Sequence, residues 1–133
     1  MGGYCMIRNA FLLTAPAVAL FLAGCNSQPV YEVSKDPVVA TRAVQMAEVE
    51  KAIVRAGTGL SWQMQPQGPG KIQGTIQQRT HRAVVDISYD TKTFSIKYRD
   101  STNLKYDGAS IHKQYNIWIR NLERAITVQL SAI

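Results

Sequence analysis

Between Leu60 and Arg99 the chain alternates apolar and polar residues with a period of two, in four runs divided by turn-forming residues. That period places alternate side chains on opposite faces, so the runs predict an antiparallel sheet with one dry face and one wet face. Leu60, Trp62 and Met64 alternate with Ser61, Gln63 and Gln65; Ile72, Gly74 and Ile76 alternate with Gln73, Thr75 and Gln77. Ala83, Val85, Ile87 and Tyr89 alternate with Arg82, Asp86 and Ser88, with Val84 the one lapse. Phe94, Ile96 and Tyr98 alternate with Thr93, Ser95, Lys97 and Arg99. A tight turn at Thr91-Lys92 pairs Tyr89 with Phe94, Ile87 with Ile96 and Val85 with Tyr98, and it sets Asp86 opposite Lys97, so apolar and charge matches agree. A turn at Thr80-His81 predicts Ile76 opposite Val85 and Gly74 opposite Ile87. Trp62 is expected to lie over Gly74, where no side chain competes for space.

Helical spacing flanks these runs. Asp36-Pro37 supplies a capping side chain and a proline suited to a first helical turn. Val39, Ala43, Met46, Val49 and Ile53 then follow at intervals of three and four, and Gly57 fits a left-handed stop. A second helix is predicted from about Ser110 to Leu130, with Tyr115, Ile119, Leu122 and Ile126 as its apolar stripe and Ile111 and Trp118 alongside. Asp100 to Asp107 reads as a loop. Both stripes need a partner, and the dry sheet face is the available one. The expected fold class is α+β: a two-layer sandwich, a four-stranded antiparallel meander with two helices on one face, in the order α-β-β-β-β-α. Residues 37–133 form this single domain.

The N-terminal region has a different character. Phe11 to Ala23 is an apolar run too short to span a bilayer, and Arg8 precedes it. Residues 1–24 therefore read as a signal peptide, with Met6 a better start than Met1. The run ends in Leu22-Ala23-Gly24-Cys25, which resembles the lipobox of bacterial lipoproteins. The resemblance implies a diacylglycerol on the sulfur of Cys25, acylation of its amine, and a lipid anchor in the bilayer. Asn26, where an Asp would favour inner-membrane retention, resembles outer-membrane sorting. Residues 25–36 are expected to be the lipidated N-terminus and a polar tether. Cys5 and Cys25 are the only cysteines, so none lies in the domain to form a disulfide or a thiolate site. The stretch from Trp62 onward resembles a group of small, uncharacterised proteobacterial lipoproteins. Pro69-Gly70, His81 with Ala83, Ile87-Ser88-Tyr89, Ser95-Ile96-Lys97-Tyr98, Asp100-Ser101, Asn103-Leu104, Tyr106, Ile111-His112, Tyr115-Asn116, Trp118 and Asn121-Leu122 carry the likeness. That group brings no established activity with it.

With 15 Lys+Arg against 9 Asp+Glu the chain is modestly basic, but the charges are spread out and no nucleic-acid motif or phosphate loop is present. The densest polar cluster is the corner of Asp100, Ser101, Asn103, Tyr106, His112, Tyr115 and Asn116. Asp100, Ser101 and His112 form a triad on paper, yet nothing supplies a nucleophile elbow. A polar network holding loop to helix is the expected role, over an aromatic core of Tyr98, Tyr106, Tyr115 and Trp118 whose hydroxyls bond Asn103, Asn116 or backbone. His81, between Arg79 and Arg82, is expected to be a solvated turn residue. Gln63, Gln65, Gln73, Thr75 and Gln77 give a neutral wet face able to meet a glycan or protein, and the first strand is an edge open to strand addition. No catalytic residue, metal site or cofactor is expected. The reading is a non-enzymatic binding or assembly module at the periplasmic face of the outer membrane. Its partners are the bilayer, through acylated Cys25, and an envelope protein or glycan. A structural role in envelope integrity, or a weak hydrolase at the His112 corner, are the alternatives.

Overall fold

A computed structural model describes residues 26–133; the expected signal peptide and the expected lipidation site, Cys25, lie outside the described residues. In chain order the elements are β1 (Ser27–Pro29), β2 (Val33–Pro37), α1 (Met46–Gly59), β3 (Gln63–Pro66), β4 (Lys71–Gln78), β5 (His81–Tyr89), β6 (Thr93–Thr102), β7 (Ser110–His112) and α2 (Lys113–Ser131). The class is α+β. The sheet has five strands rather than four, all antiparallel, in the order β2-β6-β5-β4-β3, and β1 pairs separately with β7.

The β5–β6 hairpin has the expected register: Tyr89 faces Phe94, Ile87 faces Ile96, Val85 faces Tyr98 and Asp86 faces Lys97. The Asp90 carboxylate closes the turn by accepting the Lys92 and Thr93 amides at 2.7 Å each. The β4–β5 register differs from expectation by two residues, with Ile76 opposite Ala83, Gly74 opposite Val85 and Ile72 opposite Ile87. The turn is Arg79-Thr80, with Arg79 at φ 57. A slip of two keeps every side chain on its face, so alternation alone does not distinguish the registers. Gly74 leaves room for its neighbours: a Cβ there would meet Val85, Met64 and Trp62 at 3.2–3.3 Å, and Trp62 does lie over it.

Three segments depart from the sequence expectations. The first helix begins at Met46, not at Asp36-Pro37, because Glu48 reaches back to the Gln45 N–H (2.9 Å) and starts it there. Glu48 also binds Arg42 at 2.6 Å, and this contact pulls its carboxyl down to about 2. Val33–Pro37 instead pairs along β6, with Val33 buried opposite Ile96 and Pro37 at an edge that needs no further N–H. Val39, outside the helix, is 49 % exposed. Gly57 lies inside α1 rather than at its stop; a Cβ there would overlap the Met64 side chain, and Ser61 (φ 69) makes the turn after the helix. The expected tether is folded into the domain, since Ser27–Pro29 bonds to Ser110–His112 and thereby delays α2 to Lys113. The expected loop shortens as well, because β6 continues to Thr102 past a bulge: Tyr98 faces Val85, Asp100 faces Val84, and Arg99 is the extra residue.

Val49, Ile53 and Ala56 of α1 and Ile119, Leu122 and Ile126 of α2 share one buried cluster with Ile72, Ile76, Val85, Ile87, Phe94 and Ile96 of the sheet. Trp62 and Trp118 belong to it too. Val84, the lapse in alternation, is buried on the other face, opposite Thr75 and Asp100. Leu122 has no exposed surface. Leu122→Ala should therefore cost about 2–5 kcal/mol, read by urea or thermal unfolding, through lost burial and the cavity left behind.

Candidate functional site

The polar corner is built where the end of β6, the turn before β7 and the start of α2 meet. All its polar members except Tyr115 are engaged, but with partners other than those the sequence suggests. Asp100 is exposed on β6 and pairs with Arg82 at 3.5 Å. Ser101 bonds the Tyr98 hydroxyl at 2.8 Å. His112 is the N-cap of α2, its Nδ1 accepting the Gln114 N–H at 3.1 Å. Among the described residues, Asp100, Ser101 and His112 make no hydrogen bond to one another. Asn103, at φ 58, donates to Thr80 (2.7 Å), and its carbonyl receives His81 Nδ1 (2.7 Å). His81 is thus half-buried rather than a solvated turn residue, and its ring stacks on His112 with centroids 6.0 Å apart. Asp107 accepts the Ala109 and Ser110 amides, which close the loop and hold its carboxyl below the usual range.

Beneath this corner, Tyr98 stacks on Tyr106 (4.1 Å) and meets Tyr115 edge-on (5.6 Å). The hydroxyls do not use Asn103 or Asn116: Tyr106 donates to the Gly108 carbonyl, and the fully buried Tyr115 hydroxyl has no partner. Burial pushes the Tyr115 hydroxyl strongly up, keeping it neutral. Asn116 works on another segment. Buried to 2 % exposure, it donates to the Pro29 carbonyl (2.9 Å) and Gln28 Oε1 (3.2 Å) and accepts the Tyr31 N–H (2.9 Å). Tyr31 in turn donates to Glu123 (2.8 Å) and lies under Arg120 (4.5 Å). These bonds join residues more than eighty positions apart, and no local pattern in either segment signals them.

The second candidate surface is the wet sheet face. Gln63, Gln65, Gln73, Thr75 and Gln77 are brought together there, and with Ser61 and Arg82 they line a concavity of about 380 Å³. Gln73 also borders a neighbouring hollow of about 280 Å³ that contains Lys71, Asp86, Lys97 and Arg99. The carboxylate there is already paired: Asp86 binds Arg99 (3.1 Å) rather than the Lys97 facing it, and Lys97 binds Glu32 (2.9 Å). Amide side chains both donate and accept, so the groove offers neutral hydrogen bonding of the kind that meets hydroxyls or a peptide backbone. Among the described residues no group of three His, Cys, Asp or Glu is placed to hold a metal ion, and no helix is long and apolar enough to cross a membrane.

No family model matches the chain, and neither a curated protein nor a solved structure is detectably similar to it.

His112 carries a pH dependence. Burial, then the charges of His81, Lys105 and Lys113, hold its imidazole below the ordinary value. The unfolded chain therefore takes up this proton more readily than the folded one, so its contribution is full above about 6.5 and declines as pH falls below that value. Protonation also removes the acceptor for Gln114. His112→Asn keeps a capping oxygen without the titration, and should flatten the stability profile between about pH 7 and 5 relative to wild type. For Asn116→Ala we expect a loss of about 2–3 kcal/mol, with faster amide exchange at Tyr31, whose acceptor is removed.

Proposed function

We propose that this chain is a lipid-anchored envelope protein acting as a non-enzymatic binding or assembly module at the periplasmic face of the outer membrane. In this reading a two-layer domain, both helices over one sheet face, presents the other face, with its glutamine groove, to an envelope protein or glycan. The observation that carries the proposal is the pinning of residues 27–31 by β7 and Asn116. Only Asn26 and this pinned segment separate Cys25 from the body of the domain. A lipid on Cys25 would hold the domain at short range and in a restricted orientation. That suits a module that offers one surface to a fixed partner better than one that searches on a flexible leash. The engagement of Asp100, Ser101 and His112 by Arg82, Tyr98 and Gln114 supports the non-enzymatic part of the reading.

Replacing Cys25 with Ala should release the protein from membrane fractions or leave the unprocessed precursor; an unmodified mature N-terminus in wild type, read by mass spectrometry, would refute the anchor. In the anchored protein a photo-crosslinking residue at Gln73 should give discrete adducts in intact cells, whereas one at Lys51 on α1 should not. Equal yields at both positions would remove the groove from the proposal.

A further inference from the structure

The anchored end of the described chain emerges among cations. The Asn26 carbonyl accepts the Lys113 N–H at 2.8 Å, and Ser27 faces His112 across the β1–β7 ladder. His112 stacks on His81, which hangs from the Asn103 carbonyl; Asn103 also grips Thr80, and this brings the Arg79 turn to the same corner. The His112 N–H bonds the Leu104 carbonyl (2.8 Å), so Lys105 follows directly beside it, and Lys105 and Lys113 both act electrostatically on the His112 ring. Arg79, Lys105 and Lys113 are exposed. Segments 26–31, 76–82, 103–106 and 108–118 contain no Asp or Glu. The flanking acids are occupied, Asp100 by Arg82 and Asp107 by two backbone amides. On the wet sheet face Lys97 is paired with Glu32 and Arg99 with Asp86.

From this we infer that the face formed by Arg79, His81, Lys105, His112 and Lys113 rests on the phosphate headgroups of the leaflet that holds the lipid on Cys25. The inference rests on the lipid anchor proposed above. Acyl chains that leave one residue before Asn26 enter the bilayer at this corner, because β1 allows no long stand-off between anchor and domain. Cations beside an inserted chain act together with it: the acyl groups supply the insertion, and the lysines supply attraction to anionic headgroups within a Debye length. The β4–β5 turn then faces the membrane. The β5–β6 turn, at the other end of the nine residues of β5, points away from it by about 30 Å.

The test uses the full processed chain in vesicles of phosphatidylcholine alone or of phosphatidylcholine mixed with phosphatidylglycerol, with lysine acetylation read by mass spectrometry. Lys105 and Lys113 should be protected about fivefold in the anionic vesicles relative to the zwitterionic ones. Protection should be lost at high salt. Lys51 on α1 and Lys92 in the β5–β6 turn should label alike in both. Arg79→Gln, which removes a cation without touching the reporters, should reduce the protection. An acylated chain whose Lys105 and Lys113 label equally in both vesicles, or are protected equally in both, would overturn the docking inference alone. A processed chain carrying no acyl group would overturn it together with the anchor.

Discussion

A primary amide cannot be buried cheaply unless its hydrogen bonds are met, and Asn116 is buried. Its three bonds reach Gln28, Pro29 and Tyr31. They force the start of the described chain to lie along α2 instead of trailing from it. Once that segment is fixed, β1 can pair with β7, β7 can place His112 as the cap of α2, and β2 can be delivered to the free side of β6. The second layer of consequences is electrostatic. The cap is an imidazole whose neighbours are cations, so the same corner that secures the helix resists taking up a proton.

What alternation and charge announce, the structure contains. The dry face of β4, β5 and β6 is legible because each residue contributes to the same period, and the β5–β6 register is legible because Asp86 and Lys97 supply a second, independent constraint. β4–β5 has no such charge pair, and a two-residue slip leaves its pattern unchanged. Asp36-Pro37 resembles a helix start, but a proline also serves an edge strand, and the Gln45–Glu48 cap lies nearer to residues that can continue the helix. The three-residue strands β1 and β7 are too short for any periodicity to register.

The candidate corner was legible as a cluster and not as a network. Asp100, Ser101, Asn103 and His112 do converge near the start of α2, because β6 and α2 are joined there by a short connection. Two of them find partners remote in sequence, Asp100 in Arg82 and Asn103 in Thr80 and His81, while Asn116 beside them binds Gln28, Pro29 and Tyr31 from the start of the described chain. The glutamine groove is the reverse case. Its members sit on one face of adjacent strands by period alone, so the sequence places them together without any tertiary information beyond the β3–β4 pairing.

Both rims of the five-stranded sheet finish in proline, Pro37 on β2 and Pro66 on β3. Along β2 the pairing also breaks register between Val33 and Asp36, with Lys35 at φ 52. A second copy approaching either rim meets a missing N–H, and on β2 it also meets a twisted backbone bearing a lysine. The domain thus carries a barrier against stacking edge to edge into fibres, so that many copies can crowd on one surface and remain separate molecules.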